Sequence, residues 1–207
     1  MFIKDSALIA VDLQNDFCPG GALEIRGGDS IIGRINHLMP KFEKVVATQD
    51  WHPVKHVSFA SSHAEMDTYS EVCVNGFNQI LWPEHCIEGS EGAQFHKDFN
   101  SNGADLILRK GNNPLLDSYS VFFENDKITP TGLSGYLHSL HLHNIFIAGL
   151  ATDFCVYFSA LDALKLDFNV TVIIDCCKGV DIPDGNVGRV VEEMLEVGVN
   201  LIHSESL

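Results

Sequence analysis

The chain is poor in positive charge: 13 Lys and Arg stand against 28 Asp and Glu, a formal charge of −15 over 207 residues. So acidic a surface repels phosphate backbones and anionic lipid. It excludes nucleic acid and membrane surfaces as natural partners and leaves a neutral small molecule as the better-suited ligand. No apolar run reaches the length a bilayer requires. The opening Met1-Phe2-Ile3-Lys4-Asp5 lacks a basic region followed by an apolar stretch, so no secretory signal is read and a cytoplasmic location is expected. The six cysteines form no Cys-x-x-Cys pair, which excludes zinc knuckles and thioredoxin-type motifs. In a reducing compartment they are expected as free thiols. There is no repeat and no low-complexity tract. With 45% hydrophobic and 20% charged residues the chain can bury an ordinary core, and its length suits one domain spanning 1–207.

What is present is a recurrence of short apolar runs rich in Val and Ile. They are Ala7 to Val11, Val45 to Ala47, Leu106 to Leu108, Ile145 to Ala148, Val170 to Ile174 and Val199 to Ile202. Runs apolar at nearly every position fit strands buried on both faces of a parallel sheet. Helical spacing lies between them, over Asp29 to Met39, Gly132 to Leu142, Thr152 to Leu166 and Asn186 to Val197. Asp29 or Ser30 is the expected cap of the first helix and Thr152 of the third. The alternation predicts an α/β fold of three layers, α/β/α, with a mostly parallel sheet of about six strands. The stretch from about 51 to 102 has little periodicity, and a loop of that length in a compact domain is usually functional.

Open parallel sheets bind ligands beyond the carboxyl ends of their strands. Run one ends in Asp12, run two in Asp50 with His52 two residues on, and run three in Arg109 and Lys110. Run four ends in Gly149, with Cys155 expected in the first turn of the next helix. Taken singly, these are a strand-end cap, a surface turn, a solvated lysine and a buried thiol. Gathered at one edge they become a nucleophile, a carboxylate that can take its proton, and an ammonium that keeps that carboxylate charged. At a helix start, the positive end of the dipole is expected to lower the thiol pKa. Asp50 and His52 point the same way in an extended segment and can share one cation. A catalytic site needs a further imidazole, and His56, His63, His85 and His96 are all available in the long loop.

Five segments together carry a family resemblance: Asp12 to Phe17 (DLQNDF), Gln49 to Pro53 (QDWHP), Trp82 to Cys86 (WPEHC), Arg109 to Gly111 (RKG) and Gly149 to Val156 (GLATDFCV). Their sequence and order resemble the nicotinamidase (pyrazinamidase) branch of the isochorismatase-like cysteine hydrolases, in register from about Ala7 to about Gly179. The resemblance implies a catalytic triad of Asp12, Lys110 and Cys155. It implies metal ligation by Asp50, His52 and His85, with His56 open as a further ligand. Phe17 and Trp82 match aromatic residues that sandwich a pyridine ring. A cis Leu150–Ala151 peptide is also implied, with the Ala151 and Cys155 amides as oxyanion donors. The implied activity is hydrolysis of nicotinamide, and by extension pyrazinamide, through a cysteine thioester, serving NAD salvage. The implied cofactor is one divalent ion, with zinc favoured by the donor set and iron, manganese and cobalt left open. Asn112 to Leu116 and Val121 depart from the family pattern beside the expected pocket, which bears on substrate range. Two rival readings are another small-amide hydrolase of this superfamily and a catalytically silent metal- or thiol-sensing protein, the latter invited by the adjacent Cys176-Cys177. A homo-oligomer is left open.

Overall fold

The computed structural model describes residues 2–207. Six strands form one sheet: β1 (Ile3–Val11), β2 (Phe42–Asp50), β5 (Leu106–Lys110), β6 (Asn144–Leu150), β7 (Asn169–Lys178) and β8 (Asn200–Ile202). Their order is β5-β2-β1-β6-β7-β8, and every pairing is parallel. Each of the six apolar runs is a strand. Ala7 to Val11 and Ile145, Ile147 and Ala148 are fully buried, as strands covered on both faces must be.

The helices are α1 (Ile32–Leu38), α2 (Leu133–Ser139), α3 (Tyr157–Lys165) and α4 (Asn186–Glu196). All four expected helices are present, and the N-terminal boundaries of two differ from the reading. A 3-10 turn, Gly28–Ile31, precedes α1, with Gly27 at φ 71 before it and no side-chain cap. Asp29 and Ser30 lie inside that turn, and the Ser30 hydroxyl donates instead to the Gly27 carbonyl. A π-helical turn, Thr152–Val156, precedes α3; Ala151 is its cap residue and Thr152 makes no capping bond.

The long stretch after β2 carries a small antiparallel hairpin, β3 (Glu71–Val74) with β4 (Phe77–Ile80). Its turn residues Asn75 and Gly76 have φ of 50° and 88°. An Asn-Gly pair adopts this left-handed geometry cheaply, and two such residues match the twist of paired strands. Bridges from His52 to Ile87 and from Phe59 to Trp82 fold the rest of the stretch back over the sheet edge.

This strand order puts the topological switch between β1 and β6. From β1 the chain builds outward through β2 and β5, and β6, β7 and β8 extend the other side. The crevice beyond the carboxyl ends of β1 and β6 is therefore where a ligand is expected. Gly149 makes their close approach possible: a Cβ there would run into the Val11 backbone.

Candidate active site

Asp12 leaves the end of β1 with φ 51, a left-handed conformation that aspartate tolerates better than most residues. Its carboxylate is fully buried. The Thr48 hydroxyl, from β2, accepts from the Asp12 N–H at 3.2 Å and donates to Asp12 Oδ1 at 2.6 Å, fixing the side chain. Gln14 ties the same two strands together. Its amide donates to the Asp50 carbonyl at 2.7 Å and accepts from the Asp50 N–H at 2.8 Å.

Lys110, at the end of β5, reaches across β2 into the crevice. Its buried Nζ lies 2.5 Å from Asp50 Oδ1, 2.9 Å from Asp12 Oδ2, 3.1 Å from the Ser118 carbonyl and 3.3 Å from Cys155 Sγ. An ammonium has three hydrogens, and Asp50, Ser118 and Cys155 take them in hydrogen-bond geometry. Asp12 Oδ2 shares that ammonium at 2.9 Å and meets no other donor, so it is the acceptor open to a further proton. Asp12, Asp50 and Cys155 each bring a ligand atom within 4.8 Å of the others.

Burial pushes the Asp12 carboxyl up; the Lys110 charge opposes this and Asp50 adds to it. Burial alone would lower Lys110, but Asp12, Asp50 and Cys155 outweigh it and hold the ammonium well above its ordinary range. The Cys155 thiol is also pushed well above its usual range, by burial first, against Lys110 and with Asp12 and Asp50. This overturns the expectation of a lowered thiol pKa. The chain around Cys155 is a π turn with the sulfur buried, and desolvation beside two carboxylates exceeds what one ammonium provides. The resting sulfur is a thiol, and it needs a base to become a nucleophile.

Asp50, His52 and His85 form a second constellation, with ligand atoms within 4.8 Å of one another. His52 Nδ1 lies 2.8 Å from the Gly111 carbonyl, and His85 Nδ1 lies 2.8 Å from the Pro83 carbonyl. A carbonyl only accepts, so each Nδ1 carries the hydrogen and each Nε2 lone pair is free. Those Nε2 atoms face Asp50 Oδ2 at 3.8 Å and 3.9 Å. Burial depresses both imidazoles to about 4, so they are neutral at physiological pH. Two neutral imidazoles, each oriented by a second bond, and one carboxylate are a donor set that fits a divalent cation. Gly111 contributes twice, since any Cβ there would strike the His52 ring.

His56 is not one of these three, although His52, His56 and Asp117 also bring ligand atoms within 4.8 Å of one another. Its ring packs on His52 with centroids 4.4 Å apart, while Nε2 lies 2.8 Å from the Asn113 carbonyl and Nδ1 2.7 Å from the Ser58 hydroxyl. Both ring nitrogens are thereby used within the protein. His63 bonds the Val57 carbonyl and His96 is beside Asp98, both away from Asp50.

Cys155 of the first constellation and Asp50, His52 and His85 of the second line one pocket, about 360 Å³ including its mouth, whereas Asp12 and Lys110 are buried and are not among its lining residues. Phe17, Trp82, Ala151 and Cys155 line it, and the Leu150–Ala151 peptide is cis. Leu23, Phe154, Val180, Asp117 and Tyr119 also line it, and local sequence spacing does not single them out. Val180 arrives because buried Asp153 accepts from the Val180 and Asp181 N–H groups, both at 2.9 Å, a contact between distant parts of the chain. Of the two departures, Val121 is fully buried with its N–H on the Ser159 hydroxyl. It does not line the pocket. Cys176 and Cys177 are buried in β7, their thiols raised by burial to about 11 and about 12, which is the chemistry of inert core cysteines.

The isochorismatase domain profile matches residues 6–205. The chain belongs to the isochorismatase family, in its nicotinamidase branch. Within that family it is 45% identical to a nicotinamidase of Acinetobacter baylyi, over 99% of this chain and 95% of the relative. A solved Acinetobacter baumannii nicotinamidase/pyrazinamidase superposes with a TM-score of 0.96 at 45% identity, covering 99% of this chain and 98% of that one. A pyrazinamidase of Pyrococcus horikoshii solved in complex with zinc superposes with a TM-score of 0.77 at 34% identity, covering 96% of this chain and 99% of that one. The family likeness and the converging donors of Asp50, His52 and His85 support a divalent metal centre.

Proposed function

We propose that this chain is a nicotinamide amidohydrolase, releasing nicotinate and ammonia and so returning the pyridine ring to NAD salvage. The observation that carries the reading is a buried acid and ammonium packed against a thiol that, with a two-imidazole, one-carboxylate donor set, lines a single aromatic-walled pocket. We assign Asp12, Lys110 and Cys155 as the reacting trio, and Asp50, His52 and His85 as the ligands of one divalent ion, zinc by preference of the donors. When bound, that ion supplies an open coordination position for the ring nitrogen of the substrate.

Phe17 and Trp82 hold the ring between them and present the carboxamide to Cys155. Asp12 Oδ2 takes the thiol proton as sulfur adds to the carbonyl carbon. The Ala151 and Cys155 N–H groups donate to the oxyanion; one such donor is typically worth about 3 kcal/mol. Asp12 passes its proton to the nitrogen, the C–N bond breaks and ammonia leaves. Asp12 then takes a proton from water, whose oxygen attacks the thioester, and the departing sulfur recovers that proton. Lys110 keeps Asp12 charged when it must accept. The raised carboxyl and raised thiol serve this exchange: the base is stronger than an ordinary aspartate, and the sulfur, once deprotonated, is a strong nucleophile.

The chain is read as one catalytic unit of cytoplasmic location; among the described residues no helix is long and apolar enough to cross a membrane. The deciding experiment is ammonia release from nicotinamide, pyrazinamide and benzamide, before and after chelation. Turnover of nicotinamide well above benzamide, lost on chelation, is expected. Metal-loaded protein that releases no ammonia from nicotinamide overturns the reading.

A further inference from the structure

Gln79 lies on β4, in the hairpin outside the reacting centre, yet it is only 3% exposed. A buried glutamine amide costs free energy unless its polar atoms are used. Here Nε2 lies 2.8 Å from the Ile80 carbonyl, 3.0 Å from Asp117 Oδ2 and 3.0 Å from the Tyr119 hydroxyl. Two hydrogens serve three acceptors, so one is shared. Oε1 accepts from Asn125 Nδ2 at 3.3 Å, and Asn125 Oδ1 accepts the Tyr119 N–H at 3.0 Å.

The Tyr119 oxygen takes a second donor, Trp82 Nε1–H at 3.0 Å. Around Trp82 the remaining packing is apolar: its ring meets Phe154 edge-on at 4.8 Å and Tyr69 edge-on at 6.0 Å. Apolar contacts hold an indole in place without choosing which way its nitrogen points. The bond to Tyr119 makes that choice. Tyr119 is itself held by stacking on Phe158, centroids 5.4 Å apart at 19°, and by Gln79.

The geometry points to Gln79 as a positioning residue that sets the orientation of Trp82 through the Tyr119 hydroxyl, and with it the fit of the ring slot. Gln79 braces the Asp117 and Tyr119 side chains in one line, both of which form pocket wall. The inference rests on the reading of Phe17 and Trp82 as the ring-binding pair, and it adds a residue that touches neither substrate nor reacting atoms. A leucine at 79 would fill the same space and leave Tyr119 with one donor and Asp117 Oδ2 with none.

The chain has two tryptophans, so two indole N–H resonances report on the site in a ¹⁵N-labelled sample of the full chain. Gln79→Leu is expected to shift the Trp82 indole resonance and leave that of Trp51 in place. Its KM for nicotinamide should rise by about fivefold, the factor that corresponds to one lost hydrogen bond, with kcat held within about twofold. Tyr119→Phe should give a similar rise, and the double variant should lie within about twofold of the larger single, because both cut one chain of bonds. A merely structural Gln79 would lower the melting temperature and leave KM and the indole shift of folded protein unmoved; that result, or full additivity in the double variant, overturns the proposal. Wild type that fails to turn over nicotinamide would refute the substrate reading, and the unmoved or moved indole resonance would still decide the brace.

Discussion

Replacing Lys110 with methionine keeps the aliphatic stem of the side chain and removes its charged end, which isolates what the ammonium does. Its Nζ is completely buried, as is the Asp12 carboxylate, and the Asp50 side chain is 7% exposed. Removing one partner of a buried ion pair generally costs about 3–5 kcal/mol, because the remaining charge stays desolvated. Against a typical total of about 5–15 kcal/mol this is a large fraction. For a chain of this length it corresponds to a fall in melting temperature of roughly 6–20 °C. The loss should depend on pH, with a definite sign. Burial already raises the Asp12 carboxyl in the folded state, and deleting the opposing Lys110 raises it further. A carboxyl whose folded-state pKa exceeds its unfolded value favours folding most below the unfolded pKa, and that advantage fades as pH rises through the folded pKa. Lys110→Met should therefore be least destabilised under acid conditions and most under alkaline ones. Ammonia release should fall by at least about a hundredfold, since a protonated Asp12 cannot accept the thiol proton. Urea unfolding across a pH series, alongside the ammonia assay, measures both. A variant that unfolds like wild type at every pH and still turns over would refute the assignment of Lys110 as the ion that holds Asp12 charged.

Other perturbations separate the parts of the site. Cys155→Ala should abolish ammonia release while the protein stays folded, and rapidly quenched wild-type reactions should carry a nicotinoyl mass adduct on Cys155; substantial turnover by the variant argues against covalent catalysis. His85→Ala should lose bound metal by elemental analysis and raise KM steeply, and unchanged metal content removes it from the ligand set. Far from the pocket, Asp175 accepts the Ser204 N–H at 2.7 Å and hydroxyl at 2.6 Å. Burial would raise its carboxyl, but these bonds and Arg34 hold it below the usual range. Its contribution to stability is then present above the unfolded pKa and lost as pH falls through the folded one. Asp175→Asn should flatten the acid side of the stability curve in thermal melts, with no change in KM.

Much of the framework is legible because its cause is local. A strand buried on both faces has to be apolar at nearly every position, so Ala7 to Val11 announces itself, and the residues just beyond its carboxyl end lie at the ligand-binding edge. The strands outgrow their apolar runs where polar residues reach solvent: β1 begins at Ile3, with Lys4 and Asp5 exposed, and β7 continues to exposed Lys178. The hairpin at Glu71 to Ile80 is hard to read although Asn75-Gly76 signals it, because its strands alternate weakly and four residues give little period. The acidity of Cys155 escapes the sequence for a different reason. A helix start is visible there, whereas the depth of burial and the presence of Asp12 and Asp50 beside the sulfur arise only from how three other strands pack. The same holds for Gln79, whose partners are 38 and 40 residues away along the chain.

Charge balance argues that the pocket is built for a divalent ion. Counted in ionised form, the carboxylates of Asp12, Asp50 and Asp117 face a single ammonium, that of Lys110, because His52 and His85 are neutral. Two negative charges are left over in a space with little water to screen them. One divalent cation cancels both, and a monovalent one leaves half the imbalance. Burial is the first cause that raises the Asp12 carboxyl, Lys110 opposes it and Asp50 adds to it, and a cation held by Asp50 would offset that last contribution. Binding should therefore stabilise the fold as well as complete the site. A ligand specific for the folded state at a hundred times its Kd adds about 2.7 kcal/mol, or roughly 5–11 °C in melting temperature for a chain of this size. Melts of chelated protein, compared with the same sample reloaded with zinc, iron(II), manganese or cobalt, should show such a rise, and potassium at equal concentration should not produce it. If melts with and without divalent ions superimpose, the excess charge is met by protons alone and Asp50, His52 and His85 hold no ion.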